Sequence, residues 1–180
     1  MDGLFSPFEG YACLFGQQDL GRDIIAPGAF ADTLAKRGVG GVRLLYQHDP
    51  AEPIGVWARL TEDAIGLRVE GRLSLEVKRG REVVALIAAG ALDGLSIGFK
   101  AVEARTDPRA RVRRITRIDL WEVSVVTFPM QPGARIRRPD GLRMPALTSS
   151  GPLSPAAASR LAAAAVTRAA ARLRPHLASV

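Results

Sequence analysis

A two-residue alternation of apolar and charged side chains most constrains what this chain can fold into. Between residues 65 and 73, charged side chains alternate with an apolar set made up of Ile65, Leu67, Val69 and Leu73. This period predicts a β-strand with one face buried and the other in water. Residues 53–60 alternate in the same way, and the polar turn Thr61-Glu62-Asp63 joins the two segments. The sequence therefore predicts a β-hairpin near the middle of the chain.

Further strands are expected on both sides of this hairpin. They are predicted over residues 8–16, 42–49, 94–105 and 112–126. The apolar period changes to that of a helix at about residues 27–37 and 76–91, which predicts two helices among the strands. The expected fold is mainly β, in the α+β class, with an antiparallel barrel-like sheet and surrounding helices.

Composition divides the chain near residue 138. Residues 1–138 carry the strand and helix patterns, 139–155 are rich in Pro, Ser and Gly, and 156–180 are rich in Ala and Arg. We therefore predict one folded domain, a linker and a tail that is either helical or disordered.

The positive charge is distributed unevenly. All 18 acidic residues lie within residues 1–140 beside 20 of the 25 Lys and Arg, so most of the net charge of +7 belongs to the remaining segment. A basic tail can contact nucleic acid or an acidic protein surface, or can serve only to keep the chain soluble. The nearly neutral folded region, with 6% aromatic residues in the chain, argues against a nucleic-acid-binding protein.

Several classes of protein are disfavoured by composition. The chain has one cysteine, Cys13, and two histidines, so neither a disulfide framework nor a cysteine or histidine metal centre is expected. No apolar run approaches the ~20 residues of a membrane span, and the N-terminus has no basic region typical of a signal peptide. We expect a cytoplasmic protein without metal or cofactor. Cys13 lies among apolar residues with no basic neighbour, which predicts a buried and unreactive thiol.

A serine flanked by glycines occurs in the segment Gly94-Leu95-Ser96-Ile97-Gly98-Phe99. In a strand, Ser96 would share one face with the two glycines, while the apolar side chains would point to the other. A face without bulky side chains would let a peptide approach the hydroxyl, so Ser96 is a candidate nucleophile. The alternative is a serine on an ordinary sheet face, with the glycines marking a bulge.

Two further residues carry chemistry that a serine nucleophile needs. His48 ends the predicted strand 42–49, which we expect to break at Pro50, and Glu122 lies on the predicted strand 112–126 among β-branched and aromatic residues. A serine hydroxyl becomes nucleophilic when a base removes its proton and a third group orients that base. Each residue also has a simpler interpretation: an exposed turn histidine, and a charge that protects an edge strand from aggregation.

Four motifs occur together in one order along the chain. They are Ile25-Ala26-Pro27-Gly28-Ala29-Phe30, Tyr46-Gln47-His48-Asp49, the segment 94–99, and Leu120-Trp121-Glu122-Val123-Ser124-Val125-Val126-Thr127-Phe128-Pro129. With these motifs, residues 10–136 closely resemble the prohead serine protease family of tailed bacteriophages. The resemblance implies a fold similar to herpesvirus assemblin, a β-barrel with surrounding helices. It also implies a serine endopeptidase that cleaves the scaffold or the N-terminal segment of the major capsid protein during prohead maturation.

The resemblance also assigns roles to residues. The family's catalytic serine, histidine and acid fall on Ser96, His48 and Glu122, and no cofactor is implied. Asp49 is a second candidate for the orienting acid, whereas His176, in the tail beside Pro175, is not taken as a triad member.

The family context further implies where and with what the protein acts. The capsid protein or scaffold is expected as substrate, and a homo-oligomer is expected inside the immature capsid in the bacterial host cytoplasm. Neither a membrane nor a nucleic acid is an expected partner.

The candidate oxyanion donors are backbone N–H groups beside Ser96 or near Arg113 and Arg114. The tail is expected to act in packaging or self-cleavage. The alternative is an inactive capsid-assembly or scaffold-binding protein with the same fold.

Overall fold

The computed structural model describes residues 4–137. The predicted linker 139–155 and tail 156–180 lie outside the described residues, so the division into a domain, a linker and a tail stays a prediction. The elements in chain order are the strands and helices β1 (Phe5–Leu14), β2 (Asp23–Ile25), α1 (Ala31–Arg37), β3 (Arg43–Tyr46), β4 (Asp49–Glu62), β5 (Gly66–Ser74), α2 (Lys78–Ala88), β6 (Gly94–Asp107), β7 (Val112–Val126) and β8 (Ile136–Arg137). No helix among these elements is both long enough and apolar enough to cross a membrane.

The strand β7 organises the sheet because three other strands pair with it. β6 runs antiparallel along one edge of β7, while β2 and β3 pair in parallel with two different parts of the other edge. The sheet continues from β3 through β4, β5 and β1 to β8, and these pairings are antiparallel. The expected mainly β fold with two helices is confirmed, and most pairings are antiparallel as expected, but the sheet is mixed because β2 and β3 run parallel to β7. Apolar periodicity reports which face of a strand is buried and says nothing about the direction of its neighbours.

The two ends of the strand order come together through residues 134–136. The Tyr11 amide of β1 donates to the Arg135 carbonyl at 3.1 Å, and the Leu95 amide of β6 donates to the Ala134 carbonyl at 3.0 Å. The Ile136 amide in turn donates to the Asp93 carbonyl at 2.8 Å. The sheet is therefore curled, with β1 and the start of β6 linked by one short segment.

The core lies inside this curl and includes the predicted hairpin. Leu67, Val69 and Leu73 are buried as the alternation predicts, but Ile65 is exposed because it belongs to the turn before β5. In α2, Gly80 approaches the chain so closely that a Cβ there would lie 2.1 Å from the Ser74 carbonyl oxygen. Gly80 is thus the position where α2 packs against the end of β5.

Truncation of one core residue should destabilise the fold far more than truncation of a similar exposed residue. Ile118 of β7 is 1% exposed, so Ile118→Ala should lower the free energy of unfolding by about 2–5 kcal/mol, through lost burial and a residual cavity. Val102 of β6 is 49% exposed, and Val102→Ala should change it by about 0.5 kcal/mol or less. Urea denaturation measures both values. Equal losses in the two variants would contradict the assignment of the core.

Candidate active site

His48 lies in a tight turn between β3 and β4. Tyr46 pairs with Asp49, so Gln47 and His48 form a two-residue loop, and their φ angles are +54° and +61°. Positive φ at both positions is the geometry of a type I′ hairpin turn, in which Asn and Gly are the usual residues. The expected break at Pro50 is wrong, because Pro50 lies inside β4. Two residues with side chains in this conformation cost roughly 1–2 kcal/mol each, so contacts around the turn must hold it.

The imidazole of His48 contacts the carboxylate of Glu122. His48 Nδ1 and Glu122 Oε1 are 2.6 Å apart, and the side chains are 42% and 12% exposed respectively. The parallel pairing of β3 with β7, which sets Arg43 opposite Glu122 and Tyr46 opposite Val125, places the turn beside this part of β7. With Nδ1 engaged by the carboxylate, Nε2 is the ring nitrogen left to exchange a proton with another group.

Ser124 is a member of the site that the sequence interpretation did not assign. Its side chain is fully buried, and its hydroxyl donates to Glu122 Oε2 at 2.6 Å. Ser124 Oγ also accepts the backbone N–H of His48 at 3.0 Å. Both carboxylate oxygens of Glu122 are therefore hydrogen-bonded, which offsets the cost of burying the charge. The signal was present in the sequence, since Ser124 follows Glu122 by two residues and must share its face of the strand.

Ser96 lies on the strand next to this cluster. It pairs directly with Ser124 across the β6–β7 ladder, and Gly98 pairs with Glu122, so Ser96 shares the face that carries the carboxylate. Ser96 is 3% exposed and lines a cavity of about 260 Å³. Its hydroxyl makes no hydrogen bond within residues 4–137. The structure thus brings His48 and Glu122 into contact and places Ser96 one strand away, without a hydrogen bond to the imidazole.

The glycines around Ser96 do not open a face for a peptide. A Cβ on Gly98 would lie 2.0 Å from Glu122 Oε1, and a Cβ on Gly94 would lie 2.4 Å from the Val126 carbonyl oxygen. The space beside Gly98 is taken by the carboxylate, and the space beside Gly94 by the backbone of β7. The expected role of clearing room for a substrate is therefore wrong for both residues.

The remaining candidates have other partners. Asp49 Oδ1 accepts the Ala51 amide at 2.8 Å, an interaction within the first residues of β4. The Arg113 amide, considered as an oxyanion donor, donates to the Arg22 carbonyl at 2.9 Å, and its guanidinium makes two hydrogen bonds to Asp23. His176 lies outside the described residues. Of the two acids considered, Glu122 is the one whose carboxylate contacts the His48 ring.

Cys13 lines the same cavity as Ser96 but is not suited to act as a nucleophile. It is 3% exposed, as the sequence predicts. Burial, together with the carboxylates of Asp19 and Glu62, raises the pKa of the thiol to about 12. At neutral pH the side chain is therefore a neutral thiol, whereas the thiolate is the reactive form.

Comparison with protein families and sequences gives consistent matches. A family model described as caudovirus prohead serine protease matches residues 2–144. The prohead protease of Enterobacteria phage HK97 is 36% identical over 140 residues, which are 75% of this chain and 60% of that protein. The prohead protease of Escherichia phage T5 is 33% identical over 86 residues, 48% of this chain and 40% of that protein. The matched region thus spans little more than half of the first relative and less than half of the second.

Two solved structures share the fold. The capsid assembly protease of bacteriophage T4 superposes with a TM-score of 0.55 at 16% identity, covering 68% of this chain and 82% of that one. The KSHV protease in complex with a hexapeptide phosphonate inhibitor superposes with a TM-score of 0.52 at 14% identity, covering 72% and 63%. At these identities the likeness concerns the fold alone. The expected similarity to the herpesvirus protease fold is confirmed.

Substitution of Gly98 should break the His48–Glu122 contact. In Gly98→Ala the new methyl group would collide with Glu122 Oε1, so the carboxylate must move, and overpacking should cost about 1–3 kcal/mol of stability. NMR of the imidazole nitrogens should show that Nδ1 of His48 loses its hydrogen bond. Gly40→Ala is the control, because a Cβ at Gly40 meets no atom within 4 Å. Unchanged His48 resonances in Gly98→Ala would contradict this geometry.

The reactivity of Cys13 should depend on unfolding rather than on moderate alkalinity. Because its pKa is raised to about 12, the folded protein should react slowly with a thiol reagent between about pH 7 and pH 10. The same chain in concentrated urea should react readily once the pH passes the ordinary thiol value of about 8.5. Mass spectrometry of the labelled chain gives both rates directly, since the protein has one cysteine. Equal rates in the folded and unfolded states would contradict the assigned burial.

Proposed function

The chain belongs to the caudovirus prohead serine protease family, and from this membership we propose that it is a serine endopeptidase of prohead maturation. Its proposed substrate is the N-terminal segment of the major capsid protein or the scaffold. The proposed setting is the interior of the immature capsid in the bacterial host, with the enzyme as a homo-oligomer. The observation that carries the proposal is the 2.6 Å contact of His48 Nδ1 with the Glu122 carboxylate, on the strand next to Ser96.

The mechanism assigns one step to each side chain. Ser96 Oγ attacks the carbonyl carbon of the scissile peptide bond while His48 Nε2 takes the hydroxyl proton. The imidazolium then protonates the leaving amine, which leaves an acyl-enzyme on Ser96. Water, deprotonated by His48, hydrolyses this ester and restores the serine. Glu122 holds the Nδ1–H of His48 and stabilises the positive charge that forms on the ring in each half of the reaction.

The proposed chemistry requires the Ser96 hydroxyl to meet His48 Nε2. The Ser96 hydroxyl makes no hydrogen bond within residues 4–137, so rotation about its χ1 angle breaks none. Nucleophile–base hydrogen bonds in substrate-free enzymes are often long and tighten when the substrate binds. The alternative is an inactive capsid-assembly or scaffold-binding protein. Such a protein would have no use for a buried carboxylate beside a strained histidine turn, since both are costly, and we do not favour it.

Replacement of Ser96 should abolish processing without unfolding the protein. When Ser96→Ala is co-expressed with the major capsid protein proposed as its substrate, intact-mass analysis should show only the uncleaved capsid protein, because the variant lacks the attacking oxygen. Ser6→Ala, a serine of β1 remote from His48 in the sheet order, is the control and should process normally. Undiminished cleavage by Ser96→Ala, with the wild-type circular dichroism spectrum, would overturn the assignment of the nucleophile.

A further inference from the structure

Gln47, the residue before His48, joins the turn to the end of β7 through its side chain. Its Nε2 donates to Thr127 Oγ1 at 2.7 Å, and its Oε1 accepts the Thr127 amide at 3.3 Å. Its backbone amide also donates to the Val125 carbonyl at 3.0 Å. We call the two side-chain bonds the Gln47–Thr127 clasp. The clasp attaches the turn to the strand that carries Glu122 and Ser124.

The turn needs such an attachment because its backbone conformation is unfavourable. Gln47 and His48 both have positive φ, and neither is glycine or asparagine. Without outside contacts these residues would relax toward negative φ, and the His48 side chain would then leave Glu122. The bond from the His48 amide to Ser124 Oγ holds the second turn residue, and the clasp holds the first.

The clasp is on the surface, so its contribution to global stability should be small. Both Gln47 and Thr127 are exposed, and a hydrogen bond of this kind contributes about 0.5–1.5 kcal/mol. It lies directly beside a histidine whose ring must be held within a fraction of an ångström to transfer protons efficiently. Its effect is therefore expected mainly on the geometry of His48.

We propose that Gln47 and Thr127 are positioning residues for His48: the clasp fixes the strained turn so that the imidazole stays against Glu122 and faces Ser96. This inference rests on the proposed function and extends it to two residues outside the triad. Neither residue takes part in the chemistry, and both act through the position of the ring.

A graded set of variants tests the clasp. Gln47→Met keeps the side-chain length and removes both bonds, Thr127→Val removes the bond to Oγ1 and keeps the amide bond, and Thr127→Ser keeps both. A phosphonate probe that reacts with an activated serine reports the state of Ser96 without a known substrate. The labelling rate at saturating probe should fall about 10- to 100-fold in Gln47→Met, by a smaller factor in Thr127→Val, and not in Thr127→Ser.

The double variant and a matched control separate positioning from general destabilisation. Gln47→Met with Thr127→Val should be no slower than Gln47→Met alone, because both act through the same contact. Tyr11→Phe removes the 2.6 Å bond from Tyr11 to Asp63, at the turn between β4 and β5, and should leave the labelling rate unchanged. The half-saturating probe concentration should stay constant in all variants. A rise in that concentration with an unchanged maximal rate would show that Gln47 binds the probe, and would overturn the proposal.

An NMR measurement decides the inference independently of activity. The hydrogen-bonded Nδ1 proton of His48 should give a strongly downfield signal in the wild-type protein, and exchange should broaden or remove this signal in Gln47→Met but not in Thr127→Ser. A wild-type signal and wild-type labelling in Gln47→Met would overturn the inference. If the wild-type protein neither reacts with the probe nor cleaves the capsid protein, the proposed function fails, and the NMR comparison still determines whether the clasp positions His48.

Discussion

The parallel pairing of β3 with β7 is the interaction on which the candidate site depends. β3 has four residues, yet its register beside Glu122–Val125 determines where the following turn lies. A shift of one residue would exchange the faces of every β3 side chain and move the turn away from the carboxylate. β7 holds this register because it is fixed on its other edge by the long antiparallel ladder with β6. One central strand thus supplies Glu122 and Ser124, receives His48 from one side and lies beside Ser96 on the other.

Two unfavourable features accompany this arrangement, and the same neighbours compensate for both. A carboxylate is buried, and two residues with side chains adopt positive φ. Ser124 offsets both costs, since its hydroxyl donates to Glu122 and accepts the His48 amide. Gly98 provides the space for Glu122 Oε1. Strain and buried charge are common at sites that perform chemistry, where the surrounding structure must determine the geometry more strongly than elsewhere.

Much of the architecture could be predicted from local patterns. The alternation in residues 65–73 correctly predicted a strand with its apolar face buried, and the turn before it correctly predicted a hairpin. The errors lie at the ends of elements. The α1 helix begins at Ala31 rather than near Pro27, Ile65 belongs to a turn, and Pro50 lies within a strand. Before α1 the Phe30 amide donates to Glu62, 32 residues away, which a local pattern does not contain. The other two boundaries follow from turn geometry, which apolar periodicity does not report: the Ile65 amide bonds to Asp63, and Tyr46 pairs with Asp49.

The sequence by itself determined the mainly β fold, the burial of Cys13 and the candidate residues Ser96, His48 and Glu122. Residue type and apolar period carry the first two, because both act within a single strand or turn. The ordered motifs carry the candidate residues through the resemblance to a family. Only the tertiary structure decided the mixed direction of the sheet, the participation of Ser124, and the use of Gly98 to make room for a carboxylate rather than for a substrate. These features arise where β3, β6 and β7 meet. Their residues are about 25 to 80 positions apart in the chain, and packing rather than propensity sets their contacts.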